Sequence, residues 1–314
     1  MARARILTGL DRVQTEGLKL PGRGRCGLLC NNATVDRNLR GTPEVLSKIP
    51  GVKLERIFSP QHGFAGEKQD NMIESAHGVH PATGLPVFSL YGAAREPEPA
   101  MLEGLDAFLI DLPDVGTRVY TFLSTALLCL RACARAGIPI IVLDRPNPIG
   151  GSAVEGPILD TRFSSFVGLI PVPLRHGLTA GEYCRFGADR LGLAVELAVV
   201  AAEGWSRAAL QPETDLPWVM PSPNLPSWES ALVYPGMVLL EGTNLSEGRG
   251  TTRPFELWGA PWVETAAIRG EVESNAVRRE TKPAAMQREA TPAAFRREAE
   301  RATTSGPEND PGAG

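Results

Sequence analysis

Groups able to transfer protons follow the segment Leu-Glu-Arg-Ile-Phe at residues 54–58. Pro60 ends this segment, and His62, Glu67 and Glu74 come soon after it. The pattern predicts a short strand and then a loop. In open α/β sheets, ligands bind at the carboxyl ends of the strands. The sequence therefore predicts a reaction site here, with Glu74 or Glu67 as general acid/base and His62 as a positioning or proton-relay group.

Polar side chains accompany the ends of apolar runs in the same way. Asn31, Asp111 and Arg145 each lie at or just after the end of such a run. Further candidates in these and later loops are Gln61, Asp114, Arg118, Asn147, His176, Asn224, Glu247 and Arg249. Paired carboxylates serve glycoside hydrolysis, and asparagine, aspartate and arginine suit sugar hydroxyls and an anionic substituent. We therefore predict that this set holds a substrate.

Each of these residues also has an ordinary structural interpretation. Asp111 and Asp144 would cap helices, and Arg118 or Arg249 would pair with neighbouring acids. The concentration of such groups in loops after strands is harder to explain in that way, because loops at strand ends frequently carry function.

The predicted elements alternate between strands and helices. Thr42 followed by Pro43 predicts a helix start, and Thr179 with Glu182 predicts a capping box. A long buried helix is predicted over residues 117–136, beginning at a Thr117 cap. This βαβ rhythm favours an α/β fold with a parallel sheet.

Composition excludes several classes of protein. The 314 residues are 43% hydrophobic and 22% charged, as in ordinary globular proteins. A net charge of −4, without a basic run, predicts no nucleic-acid partner. The basic amino terminus is not followed by an unbroken apolar segment, so we expect neither signal peptide nor membrane anchor, no membrane partner and a cytoplasmic location.

Known cofactor and metal motifs are weak or missing in the sequence. Residues 22–27 match G-x-G-x-x-G, but they precede a strand and open no helix, so we expect no dinucleotide there. Neither a Walker A sequence nor a G-x-S-x-G elbow occurs. His77 and His80 lie in a Gly/Pro loop, and the five cysteines are mostly in apolar runs, which predicts buried reduced thiols. We expect no cofactor and no metal.

The composition changes towards the carboxyl end. We predict a large α/β domain at 1–200, the start of a smaller carboxyl-terminal domain at 201–267, and a disordered or aberrant tail at 268–314. The proline-rich segment 212–226 is predicted to line a pocket. The tail is rich in Arg, Glu, Ala and Pro and has too few large apolar side chains to offset its ordering entropy.

Seven motifs together resemble the exo-β-N-acetylmuramidase (NamZ-like) family of peptidoglycan hexosaminidases. They are SPQHGF (59–64), DVGTRVYT (114–121), LDRPNPIGG (143–151), VEGP (154–157), PLRHGLT (173–179), PSPNLP (221–226) and LEGTNLSEGRGTTRPFE (240–256). The resemblance implies a Rossmann-like sheet with helices on both faces, joined to a smaller domain. It also implies release of N-acetylmuramic acid from non-reducing ends of peptidoglycan fragments in cell wall recycling, without a nucleotide cofactor, in a cleft between the domains.

Two departures from the family pattern leave alternatives open. Many relatives carry glutamate where this chain has Gln61, so an acid role there would pass to Glu67 or Glu74, or be lost. A truncation or reading-frame change is suspected between Val263 and Val277. The alternatives are a catalytically inactive muropeptide- or sugar-binding protein, and a hydrolase of the same fold acting on another amino sugar.

Overall fold

A seven-stranded sheet forms the centre of the chain in the computed structural model, which describes residues 3–69, 73–266, 268–271 and 295. Its strands lie in the order β3-β4-β2-β1-β5-β6-β9. They are β1 (Arg25–Leu29), β2 (Lys53–Ser59), β3 (Gly78–Val79), β4 (Pro86–Ser89), β5 (Ala107–Ile110), β6 (Ile140–Leu143) and β9 (Leu197–Val200). Two further strands, β7 (Glu155–Ile158) and β8 (Pro173–Arg175), pair antiparallel beside it.

The sheet is parallel except for the short edge strand β3. From the central strand β1 the chain adds β2 and β4 on one side, and then β5, β6 and β9 on the other. The strand order therefore reverses between β1 and β5. In open α/β sheets a crevice forms at such a point, beyond the carboxyl ends of the strands. The predicted α/β fold with a parallel sheet is confirmed.

Helices cover both faces of the sheet. They are α1 (Gly9–Glu16), α2 (Thr42–Leu46), α3 (Pro99–Leu102), α4 (Phe122–Ala136), α5 (Ala180–Arg190) and α6 (Trp228–Met237). Side chains alternate between the faces along each strand. Ile57 packs in the core beneath α1 and α2, whereas Phe58 packs in the core beneath α4 and α5. The predicted capping box of Thr179 and Glu182 begins α5.

The long helix α4 begins four residues later than the sequence predicted. Its N-cap is Thr121, not Thr117. Thr117 instead forms an antiparallel bridge with Arg175, and the backbone of His176 donates to the Gly116 carbonyl. These bridges hold the segment outside the helix, so residues 117–121 form a loop after β5.

The five cysteines are all free and buried. Burial raises the pKa of the Cys26 thiol to about 12, which makes it unreactive at neutral pH. Among the described residues, no group of His, Cys, Asp or Glu side chains could hold a metal ion. No helix within the described ranges has both the length and the apolar character needed to cross a membrane.

A carboxyl-terminal region follows β9 and contains α6 and a 3₁₀ helix at Val238–Gly242. The domain boundaries at 200 and 267 stay a prediction. Of the predicted tail, residues 268–271 are helical and the Phe295 ring lies 5.3 Å from the Phe186 ring. The remainder of 268–314 lies outside the described residues.

Candidate functional site

A cavity of about 500 Å³ lies beside the loops that follow β2 and β5. The loop after β2 contributes Gln61 and His62, and the loop before α4 contributes Tyr120 and Thr121. Residues between 222 and 255 of the carboxyl-terminal region also line the cavity. The volume is that of an ordinary small-molecule site.

Gln61 and His62 are held in fixed positions in the cavity wall. The Thr121 hydroxyl donates to Gln61 Oε1 at 2.7 Å, and Gln61 is only 7% exposed. His62 has φ of 74°, a positive value that is uncommon outside glycine but that asparagine, aspartate and histidine adopt more readily than other residues.

The tautomer of His62 follows from its hydrogen bond. His62 Nδ1 lies 2.6 Å from the Lys68 carbonyl oxygen, which can only accept, so Nδ1 carries the proton. Burial lowers the pKa of His62, and the Arg249 cation acts in the same direction. The ring is therefore neutral at pH 7 and keeps a lone pair on Nε2, which can accept a proton.

Arg249 also forms part of the cavity wall. Its Nε donates to Glu247 at 2.9 Å and its terminal nitrogen to Glu241 at 2.5 Å. The guanidinium also lies 5.6 Å from the centre of the Phe255 ring. Two carboxylates thus offset the charge of this arginine and fix its orientation.

The two predicted acids, Glu67 and Glu74, lie outside the set of side chains that line the cavity. Glu67 is exposed, but its carboxylate packs against Gly63, since a Cβ built there would lie 2.5 Å from Glu67 Oε1. Glu74 has 61% of its side chain exposed and lies 4.0 Å from Arg95, a lining residue. Both carboxylates are thus next to the cavity and not in its wall.

Asp111 and Arg145 form a buried ion pair at the carboxyl ends of β5 and β6. Arg145 donates to the two carboxylate oxygens at 2.5 and 2.9 Å, and the Thr42 hydroxyl donates to Oδ2 at 2.6 Å. The Asp111 side chain is 0% exposed. Both of its carboxylate oxygens therefore accept hydrogen bonds from the protein.

A second buried pair joins the loop after β5 to that after β8. His176 Nδ1 accepts from the Leu178 backbone at 3.1 Å, so the proton is on Nε2, which lies 3.3 Å from Asp114 Oδ2. Asp114 also accepts from the Gly116 backbone at 2.8 Å. Asp114 and Arg145 line a smaller cavity of about 80 Å³.

Three of the remaining candidates bond to backbone carbonyls. Asn31 donates to Pro221 at 2.9 Å, and Asn147 donates to Leu178 at 2.9 Å. Arg118 donates to Pro157 and Val172 at 2.8 and 2.6 Å, and burial lowers its pKa. These contacts fix loops around the site.

The structure brings four of the predicted residues into one cavity wall and places the others elsewhere. Gln61, His62, Asn224 and Arg249 line the larger cavity, and Asn224 donates to the Gln69 carbonyl at 3.1 Å. Glu247 is tied to this wall through Arg249. Asn31, Asp111, Asp114, Arg118, Arg145, Asn147 and His176 do not line it.

Sequence reasoning missed the aromatic part of the wall and one cation. The missed lining residues include Tyr91, Arg95, Tyr120, Phe166, Tyr234 and Phe255. Loop aromatics carry no periodic signal, and Tyr120 was assigned to a helix. The proline-rich segment gave the best available signal, and its Ser222, Asn224 and Leu225 do line the cavity, as predicted.

Comparison with known proteins gives two adjoining family matches. Residues 26–229 match the family described as exo-β-N-acetylmuramidase NamZ, N-terminal, and residues 232–296 match its C-terminal counterpart. The second match spans the segment where the sequence predicted a departure from the family. The suspected truncation stays a prediction.

The chain is also similar to individual proteins. It is 43% identical over 264 residues to peptidoglycan β-N-acetylmuramidase NamZ of Bacillus subtilis (strain 168), covering 84% of this chain and 64% of that protein. The chain thus spans slightly less than two thirds of this relative's length. Two crystal structures of DUF1343 family proteins from Bacteroides fragilis NCTC 9343 also match. One has a TM-score of 0.78 at 36% identity, covering 87% of this chain and 70% of that one. The other has a TM-score of 0.68 at 31% identity, covering 82% and 67%.

Proposed function

Because the chain belongs to the exo-β-N-acetylmuramidase NamZ family, we propose that it releases N-acetylmuramic acid from the non-reducing ends of peptidoglycan fragments. The observation that carries this proposal is the cavity wall, which contains residues of four of the seven family-like motifs. Gln61 and His62, Tyr120, Asn224 and Arg249 represent these motifs.

The composition of the wall suits an amino sugar. The rings of Tyr91, Phe166, Tyr234 and Phe255 offer apolar surface against which the C–H face of a pyranose packs. The Gln61 and Asn224 amides offer donors and acceptors to hydroxyl and acetamido groups. Such a mixture of aromatic surface and a few polar groups is typical of ligand pockets.

Proton transfer requires ionisable groups in or next to the cavity wall. We propose that Glu67 or Glu74 acts as general acid/base, and that His62 relays a proton through Nε2. Glu67 is suited to this because its carboxylate packs on Gly63, next to His62. Glu74 is suited because it lies at the Arg95 side of the cavity. Asp111, Asp114, Arg118, Arg145, Asn147 and His176 would then act on the substrate only through the loops that they hold.

The pH dependence tests the role of His62. Because its pKa lies below the usual value of about 6.5 and the neutral ring is the proton acceptor, kcat/KM should rise with pH through that pKa. Below it, kcat/KM should fall by about tenfold for each pH unit. A pH–rate profile from pH 4 to 8 measures this limb.

The matched variant is His62→Asn, because asparagine tolerates the left-handed backbone at this position. It should remove the acid limb that His62 causes while the melting temperature stays close to that of the wild type. An unchanged limb in this variant would assign the limb to another group.

The proposed activity is tested with a chromogenic β-glycoside of N-acetylmuramic acid. Turnover by the purified protein should exceed that of a Glu67→Gln, Glu74→Gln double variant. Equal turnover would overturn the assignment of these acids. Tight binding of the sugar without any turnover would favour the inactive sugar-binding alternative. A panel of glycosides of other amino sugars tests the remaining alternative, a hydrolase of the same fold that acts on another amino sugar.

The wider setting is also part of the proposal. A small muropeptide is the expected partner, and cell wall recycling in the cytoplasm is the expected context. The five free, buried cysteines are compatible with a reducing compartment.

A further inference from the structure

Arg95 places a second guanidinium in the cavity wall, in addition to that of Arg249. Its central carbon lies 3.8 Å from the centre of the Tyr91 ring and 5.7 Å from that of Phe166. One terminal nitrogen donates to the Gly92 carbonyl at 2.8 Å. Stacking and this hydrogen bond fix the plane of the group. Within the part of the chain that the structure describes, its other N–H donors make no further hydrogen bond and can serve another acceptor.

The two arginines of the cavity differ in how their charge is offset. Arg249 has two carboxylate partners within 2.9 Å, Glu241 and Glu247. Among the described residues, the carboxylate paired with Arg95 is that of Glu74, which is 4.0 Å away and largely exposed. An exposed pair at that distance contributes little binding energy, so Arg95 brings positive charge to the cavity.

We infer that Arg95 binds the carboxylate of the substrate and thereby selects an acidic amino sugar over a neutral one. This inference rests on the proposed function, because N-acetylmuramic acid differs from N-acetylglucosamine by a lactyl ether that ends in a carboxylate. A planar guanidinium whose orientation is already fixed pairs with a carboxylate at little entropic cost. Gln61, Asn224 and the aromatic rings serve features that both sugars share and cannot discriminate between them.

Three chromogenic β-glycosides test the inference: those of N-acetylmuramic acid, of its methyl ester and of N-acetylglucosamine. The wild type should prefer the free acid. In Arg95→Gln, KM for the acid should rise about 10-fold to 100-fold, with a much smaller change in kcat and almost no change for the ester. Arg95→Lys keeps the charge and should retain part of the preference. The control is Arg12→Gln, an exposed residue of α1 that pairs with Glu16.

The ester separates recognition from folding, since a misfolded variant would lose activity on acid and ester alike. An acid/ester ratio that is the same in the wild type and in Arg95→Gln would overturn the inference while leaving the proposed hydrolysis intact. If the wild type hydrolyses none of the glycosides, the proposed function fails. Calorimetry with free N-acetylmuramic acid and its methyl ester then tests whether Arg95 recognises the carboxylate. A preference for the acid that disappears in Arg95→Gln supports the role of Arg95. Equal binding of both compounds, or of neither, overturns it.

Discussion

Replacing Gln61 by glutamate should raise kcat on the N-acetylmuramic acid glycoside by about 100-fold to 10,000-fold, the usual contribution of a general acid. Gln61 lines the cavity together with His62 and Thr121, whereas Glu67 and Glu74 do not line it. Glutamate has nearly the same shape as glutamine, so the hydrogen bond from Thr121 would be kept. The variant therefore changes the chemistry of the position and little else.

The surroundings of residue 61 favour a protonated acid. Gln61 is 7% exposed, and burial raises the pKa of a carboxyl group because the charged form loses its hydration. A glutamic acid here would keep its proton nearer to neutral pH and could deliver it to the leaving oxygen of the glycoside.

The matched control is Gln69→Glu, which adds the same charge to an exposed position of the same loop. It should leave kcat unchanged. Both variants are compared with the wild type in a steady-state assay and by melting temperature. If Gln61→Glu is no faster than Gln69→Glu, the acid is not at position 61, and Glu67 and Glu74 remain the candidates.

Replacing Arg145 by methionine should lower the free energy of unfolding by about 3–5 kcal/mol, the usual cost of leaving a buried charge unpaired. Asp111 would lose both hydrogen bonds from the guanidinium and keep only that from Thr42. Urea unfolding of the wild type and the variant, followed by circular dichroism, measures the difference.

Two further variants test whether the lost stability comes from leaving the Asp111 charge unpaired. The double variant Asp111→Asn, Arg145→Met removes both charges and should lose less stability than Arg145→Met alone. Arg162→Gln breaks the exposed pair with Asp160 and should change stability by less than about 1 kcal/mol. A stable Arg145→Met variant with a raised KM would instead favour the predicted role of Arg145 in holding substrate.

The order of the elements could be predicted from the sequence because it depends on local pattern. The strand predicted at residues 54–58, for example, is observed as β2 (Lys53–Ser59). The capping box of Thr179 and Glu182 formed as predicted, because the two residues bond each other's backbone within three positions, although the Thr179 hydroxyl also donates to the distant Asp144. The prediction failed at Thr117, whose backbone pairs with Arg175, more than fifty residues away along the chain.

The candidate site could be predicted only in part. Sequence reasoning assigned every polar residue at a strand end to one cleft, and it could not tell which of them line the cavity. A buried carboxylate must find donors, and those donors come from distant segments. Asp111 is satisfied by Thr42 and Arg145, so its strand-end position does not bring it into the cavity wall. Arg95 and Tyr91 gave no signal, because stacking in a loop has no sequence period.

The sequence by itself determined the α/β class, the parallel sheet and the loop with Gln61 and His62 at a strand end, since strand periodicity, capping and turn residues act over a few neighbouring positions. Tertiary structure decided which strand-end side chains face the cavity and which fill the buried region between β1, β5 and β6. It also decided that His62 is neutral, because its proton position and lowered pKa depend on the Lys68 carbonyl, burial and Arg249. Such properties follow from packing between distant segments, which no local pattern specifies.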